Sequence, residues 1–399
     1  MPVIVAALGY FVDIYDLILF SIVRVPSLQA FGLAGKELIN DGVYLLNVQM
    51  IGMVIGGFLW GWLGDNKGRL QIMFASILMY SLANIANGMV TSLPAYAVLR
   101  FVAGVGLAGE LGAGITLVAE VLPARIRGYG TMLVATVGVS GAVFANLVAH
   151  YFSWRNAFFI GGVLGLMLLV ARLKVSESGM FQHMTENAQL GRGNMFALFA
   201  DRKRFFRYIN SILVGVPIWF IIGILVTFAP EFAAEIHISG PVSAGHAVMY
   251  CYFGSIFGDL SSGLISQYLQ SRKKVMLLFM MLGLPAVALY FMQGGSTPQF
   301  FYFVCALLGF SAGYWAIFVT VAAEQFGTNL RASVATTAPN LVRGMVVPMT
   351  MLFQFSSRFF GIELGALAVG GICMTMAFIS LSLLEETFHK DLDYYEEFG

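Results

Sequence analysis

The chain has 399 residues, of which 59% are hydrophobic and 11% charged, with 35 Phe, 21 Met and 45 Gly. A soluble domain carries about a quarter charged residues, so a water-exposed globule of this composition could not keep its surface wet, and a polytopic membrane protein is specified instead. A formal net charge of +1 speaks against a nucleic-acid binder, which needs a basic face.

A spanning helix needs about 20 mostly apolar residues. Twelve such runs are legible, at 4–31, 42–64, 70–91, 94–118, 128–150, 156–173, 207–229, 242–266, 274–292, 299–322, 332–353 and 361–384. The first carries two aspartates and no basic leader, which suits a spanning helix better than a cleavable signal peptide. A long polar stretch, 174–206, reads as a cytoplasmic linker between an N-terminal six-helix half (1–173) and a C-terminal half (207–399) with a short cytoplasmic tail. Most of the 22 Lys and Arg fall on the side that holds both termini, which places the termini in the cytoplasm. Cys251, Cys305 and Cys373 each lie in an apolar run and read as small core hydrophobes rather than a disulfide framework.

The halves repeat. Glu120 and Arg127 flank the loop after the fourth run as Glu324 and Arg331 flank the loop after the tenth, and Gly61-Trp-Leu-Gly-Asp65 has a weaker echo in Gly263-Leu-Ile-Ser-Gln267. Such duplication fits a transporter with a central site between two halves. In the fourth run, Gly104-Val-Gly106-Leu-Ala-Gly109 spells the dinucleotide fingerprint G-x-G-x-x-G. A Rossmann turn follows a strand and opens a helix; these glycines occupy the middle of an apolar run and read as close-packing residues. Metalloprotease, P-loop and paired-cysteine motifs are missing from the sequence, so the chain reads neither as an enzyme nor as an ATP-driven pump.

Arg100, Gly104, Gly106, Glu120, Pro123 and Arg127-Gly128 together resemble the fourth-helix motif of the major facilitator superfamily. Gly61-x-x-x-Asp65-x-x-Gly68-Arg69 resembles that superfamily's loop 2–3 signature, and Trp154-Arg155 its entry to helix 6. Asp13-Ile-Tyr-Asp16, with Ser153-Trp-Arg-Asn-Ala-Phe-Phe159 and Glu177-Ser-Gly-Met-Phe181, is similar to the metabolite:proton symporters, the group containing the proline/betaine transporter. The tail Leu384-Glu-Glu-Thr387 resembles a sugar-porter terminus. The resemblance implies the major facilitator fold: an all-α polytopic membrane protein of twelve transmembrane helices in two pseudo-symmetric six-helix halves. It further implies a monomer in the bacterial inner membrane, working on the proton gradient with no cofactor and no metal. One departure is Gln267, which stands where the second loop copy should carry an acid.

Ionisable groups inside spanning helices are costly and mark functional sites. Here they are the acids Asp13, Asp16, Glu110 and Asp259 and the bases Arg100 and Arg343, with Arg24 near an outer end. Counting about 1.5 Å per residue brings Asp16 and Arg100 to similar depth, with Asp13 one turn away on the same face. Protonation of such a carboxylate would release the arginine and tie proton binding to opening. The resemblance associates a helix 1 acid and this arginine with proton coupling, and Glu110 is a further relay candidate. The alternative is a permanent ion pair between helices 1 and 4.

Arg343, about 17 Å into the eleventh run, falls near the midplane, where a guanidinium suits a substrate carboxylate. The alternative is a partner for Asp259, itself a substrate-site candidate. Tyr15, Gln49, Trp219 and Asn340, with Asn47, Tyr250 and Tyr314, are candidates for lining the cavity, and His150 and His246 for packing. Gly61, Asp65, Arg69, Glu120 and Arg127 read as a conformational latch at the cytoplasmic face. The expected function is proton-coupled import of a small zwitterionic or anionic metabolite (an amino acid, a betaine or a carboxylate) by alternating access. A proton-antiporting exporter and a transport-dead sensor are the alternatives.

Overall fold

In lipid, backbone polar groups must be satisfied within the chain, and long apolar runs do this as helices. The computed structural model describes residues 2–67, 69–110, 124–175, 197–390 and 396, and among these every regular element is helical. The first half contains α1 (Pro2–Gln29), α2 (Lys36–Lys67), α3 (Arg69–Asn87), α4 (Leu93–Leu107), α5 (Ala124–Tyr151) and α6 (Trp154–Val175). A short α7 (Ala197–Ala200) precedes α8 (Arg202–Leu213), α9 (Val216–Phe220), a π-helical turn (Ile221–Val226) and α10 (Ala229–Glu235). Then follow α11 (Ala244–Leu269), α12 (Arg272–Met292), α13 (Pro298–Ala312), α14 (Trp315–Glu324), α15 (Thr328–Gly344) and α16 (Val346–Leu383).

Each expected run finds an element: the seventh is α8 to α10, the tenth α13 and α14, and the eleventh and twelfth share α15 and α16. Among the described residues, eight segments are long and apolar enough to cross a membrane, and Met73–Asn87 and Leu93–Leu107 are shorter apolar helices. The boundaries shift where capping decides. Asp201 accepts the Arg204 N–H at 2.9 Å, so the seventh segment starts at Arg202 rather than 207. Gly361 turns the chain back on itself at φ +81°, which glycine adopts without a Cβ penalty, and its two limbs pack together with Ser356 Oγ 3.3 Å from the Gly365 carbonyl. Cys251, Cys305 and Cys373 are buried free thiols.

The up-and-down order puts both chain ends at one end of the bundle, the terminal end, and the α1–α2 and α5–α6 turns at the far end. Within the first half α1 packs on α5, α2 on α4, and α3 on α4 and α6; the halves meet where α5 faces α11 and α2 faces α15. The glycines of α4 are contact surface. A Cβ on Gly104 would overlap the Gln49 carbonyl of α2, and one on Gly106 would stand 2.7 Å from the Tyr80 amide of α3. At the far end the halves are clasped. Arg24, fully buried, reaches Glu231 at 2.6 Å and 2.8 Å, and the Thr227 hydroxyl donates to Ser21 at 3.0 Å. Nearby, Thr350 donates to Asn47 Oδ1 at 2.8 Å.

Candidate functional site

Residues three and four apart share a helix face, so α1 presents Gly9, Asp13 and Asp16 together. Both aspartates are fully buried, and none of their carboxyl oxygens accepts a well-formed hydrogen bond, although the Asn84 side chain lies beside Asp16. Asp16 lies against Gly161 of α6, where a Cβ would overlap its Oδ1. Arg100 is equally buried; it donates to Asn84 Oδ1 at 2.6 Å, and its Cζ stands 4.6 Å from the Phe158 ring centroid. Arg100 and Asp16 act on each other electrostatically without a direct ion pair. The permanent pair between helices 1 and 4 is thus not formed in this state.

Glu110, by contrast, is firmly paired. Arg172 Nη1 stands 2.8 Å from its Oε2 and 3.1 Å from its Oε1, and the Ser76 hydroxyl donates to Oε1 at 3.3 Å. Both charged groups are buried, and the guanidinium occupies the space that a Cβ on Gly9 would need.

In the second half the central charge sits where helices are interrupted. Arg343 is in the last turn of α15, Trp219 lies just before the π-helical turn, and Trp315 opens α14 after the break at Gly313 and Tyr314. Broken helices of this kind expose backbone groups at the midplane sites of transporters. The Arg343 Cζ stands 5.9 Å from the Trp219 ring centroid and 5.6 Å from that of Trp315. Its Nη1 is 3.4 Å from Asn340 Oδ1. Arg343 is fully buried, and among the described residues no carboxylate forms an ion pair with it.

Asp259 does not pair with Arg343; it accepts the Ala316 N–H at 3.3 Å and so satisfies one of the orphan donors at the start of α14. Asn340 Nδ2 donates to the Ala108 carbonyl across the halves at 2.9 Å and to Thr336 O at 2.9 Å. Tyr10 and Asp13 from α1, and Tyr252 from α11, lie within the electrostatic reach of Arg343.

The expected residues therefore fall into separate groups. Asp16 and Arg100 share one space in the first half, Glu110 has its own partner, and Arg343, Trp219 and Asn340 gather at the centre with Asp13 facing them. Tyr15 and Gln49 are engaged elsewhere: the Tyr15 hydroxyl donates to Ala157 O at 2.8 Å, and Gln49 Nε2 donates to Leu17 O at 3.4 Å. Tyr250 stacks on Tyr302, Tyr314 donates to Val214 O at 3.0 Å, and the His150 and His246 rings stand 6.1 Å apart at the far end.

Of the latch residues, Gly61 is buried in α2. Glu120 lies outside the described residues, as do the side chains of Asp65, Arg69 and Arg127. In the second half Glu324 pairs with Arg272 Nη2 at 2.9 Å, which places an ion pair beside the segment where Gln267 departs from the family pattern. Below it the tail docks: Glu386 accepts from the Ser271 hydroxyl and from the N–H groups of Arg272 at 3.0 Å and Lys273 at 3.2 Å. Partial burial would raise the Glu386 carboxyl, but the Ser271 hydroxyl and the backbone donors outweigh it and hold the group below its usual range.

Sequence reasoning missed Arg172, Trp315, Tyr80 and Asn84. Arg172 is in the last turns of α6 and reads as one more charge at a membrane boundary. Tyr80 and Asn84 did leave a signal, since Ser76, Tyr80, Asn84 and Asn87 form a polar stripe along one face of an otherwise apolar α3, all fully buried. Trp315 follows a Gly-Tyr pair inside an apolar run, a pattern without a signal of its own.

A family profile described as Major Facilitator Superfamily matches residues 6–344. The niacin transporter NiaP of Acinetobacter baylyi is 25% identical, the match covering 98% of this chain and 94% of the relative. The cis,cis-muconate transport protein of the same organism is also 25% identical, over 98% and 94%. Among solved structures, the proton:xylose symporter XylE bound to 6-bromo-6-deoxy-D-glucose superposes with a TM-score of 0.73 at 15% identity, over 98% of this chain and 97% of that one.

Proposed function

This chain belongs to the Major Facilitator Superfamily and is a multi-pass secondary transporter of that type; we propose that it imports a small organic carboxylate together with a proton, by alternating access. The observation that carries the reading is Arg343, a fully buried guanidinium that forms no ion pair among the described residues, with Asp13 only within its electrostatic reach, flanked by two indole rings. A buried charge is costly unless it is paired, and a guanidinium between aromatic faces presents a planar fork matched to a carboxylate. Within the expected range of amino acids, betaines and carboxylates, this favours a planar acid that binds Arg343 and stacks on Trp219 or Trp315. Two relatives are named for niacin and for cis,cis-muconate, both carboxylates.

Proton coupling rests on Asp16 and Arg100. An ionised carboxylate buried without a donor is expensive, so the unpartnered Asp16 suits a protonated acid, with Arg100 parked on Asn84. Loss of the proton would draw Arg100 across to Asp16 and shift α4 against α1. The halves, 1–173 and 207–399, would rock about the centre with 174–206 as linker. The basic residues Arg202, Lys203, Arg207, Arg272, Lys273 and Lys274 gather at the terminal end, which orients that end to the cytoplasm of a bacterial inner membrane. The Arg24–Glu231 clasp then closes the outer side. The transporter works as a monomer, with the proton gradient in place of a cofactor.

The test is uptake into proteoliposomes with acid outside. Aromatic and unsaturated carboxylates are expected to accumulate, to stop accumulating on addition of a protonophore, and to lose recognition when the acid is replaced by its amide. Equal uptake of acid and amide would remove Arg343 from substrate recognition.

A further inference from the structure

The described interior of the first half contains a polar path that the coupling pair alone does not use. It can be followed along α6. Phe158 carries Arg100, Gly161 makes room for the Asp16 carboxyl, Gly165 makes room first for the Ser81 hydroxyl and then for the edge of the Tyr80 ring, whose Cε2 would lie 3.0 Å from a Cβ, and Arg172 holds Glu110. Positions 158, 161, 165 and 172 are spaced three, four and seven residues apart, so they share one helix face.

The same order recurs on α3. Ser76 donates to Glu110 and Asn84 accepts from Arg100, with Tyr80 one turn from each, about 6 Å along the helix. Tyr80 is fully buried, and its hydroxyl has no hydrogen-bond partner. The charged groups within its electrostatic reach are Glu110 just past α4, Asp16 and Asp13 from α1, and Arg172 from α6. A buried hydroxyl left unsatisfied costs free energy, and this one belongs to the residue that lies on the α3 face between Ser76, which donates to Glu110, and Asn84, which accepts from Arg100.

We propose that the Tyr80 hydroxyl relays the coupled proton from Asp16 to the Glu110–Arg172 pair, so that the proton travels inside the first half, apart from the substrate. This rests on the proton-coupled reading above. In this state the Tyr80 hydroxyl touches neither carboxyl; once a shift of α1 and α4 against α3 brings both within hydrogen-bond reach, the Asp16 carboxyl gives its proton to the Tyr80 oxygen while the tyrosine's own proton passes to a Glu110 carboxylate oxygen. The tyrosine stays neutral, and Asp16 becomes the anion that Arg100 then binds. Glu110 becomes neutral, loosens from Arg172 and releases the proton to water at the terminal end, and rotation of the hydroxyl resets the relay. Gly161 serves this path, because any larger residue would push the Asp16 carboxyl off the α6 face.

The experiment compares wild type with Tyr80→Phe in proteoliposomes, using nicotinate as the probe and measuring gradient-driven accumulation and substrate counterflow on the same preparations. Phenylalanine keeps the ring between its glycines and deletes only an oxygen that holds no partner. Proton-driven accumulation is expected to fall by about a hundredfold, the usual contribution of a positioned proton-transfer group, with counterflow at the wild-type rate. Wild-type accumulation in Tyr80→Phe would overturn the relay while leaving proton coupling intact. Equal loss of counterflow would also overturn it, because Tyr80 would then be a packing residue. Wild-type accumulation that ignores a protonophore would overturn the coupling reading and the relay together.

Discussion

The two halves bury their charges in different surroundings. In the first, Asp13, Asp16, Arg100, Glu110 and Arg172 lie on α1, α4 and α6 and just past the end of α4, and Gly9 and Gly161 let the charged side chains approach the neighbouring helices closely. In the second, Arg343 stands among indoles beside three helix interruptions, and Asp259 is occupied with holding the start of α14. The two halves thus share a helical architecture and differ in what they bury. On the proposed function, one half would move a proton between fixed carboxyls and the other would wrap a planar anion. Glycine packing fixes distances, which proton transfer needs; a broken helix and a π-helical turn let the wall of a binding site adjust.

Arg343→Gln is the largest blow to that division. Removing two charge-assisted hydrogen bonds should weaken carboxylate binding by about a hundredfold or more, read as the Kd of nicotinate by equilibrium binding. Asp16→Asn should have the complementary effect. Uphill accumulation disappears and its dependence on external pH goes with it, while the same Kd and the counterflow rate survive. A variant pair in which both changes abolish binding equally would erase the distinction between the halves.

A smaller change sharpens the link between them. Glu231→Gln leaves Arg24 partly uncompensated in the far-end clasp, at a cost of about 1–3 kcal/mol. That should shift the population toward far-end opening, measured by thiol labelling of a cysteine placed at Ser21; an unchanged labelling rate would mean the clasp does not gate. The smallest effect lies at the docked tail. The Glu386 carboxyl is held below its usual 4.5, so the contribution it makes is complete above that value and is lost as pH falls through its lower folded-state pKa. Glu386→Gln should therefore reduce thermal stability slightly at neutral pH and flatten the decline on acidification.

Much of this was legible from the sequence because lipid allows few solutions. Twelve apolar runs, the repeated loop motifs and the glycines of the fourth run led to the fold, since each is a local consequence of burying a helix in hydrocarbon. Arg343 and Asp16 stood out because a charge in such a run is rare. What stayed hidden was pairing. Arg172 belongs to Glu110 only because the end of α6 and the segment just past α4 both meet α1 at Gly9, and Tyr15 turns away from the centre only because Ala157 offers a carbonyl there. Those facts depend on which helices touch, and one-dimensional spacing does not carry them. The helix starts at Arg202 and Thr328 were hidden for a related reason, because capping by Asp201 and Gly327 extends a helix past the apolar run that announces it.

The most direct test of the account measures proton and substrate together. Proteoliposomes containing a pH dye would receive labelled nicotinate, and the protons entering per carboxylate would be counted for wild type and Asp16→Asn. The account predicts a fixed proton-to-carboxylate ratio in wild type and carboxylate exchange without proton entry in Asp16→Asn at unchanged Kd. Proton entry that persists in the variant, or a wild-type ratio of zero, would contradict it.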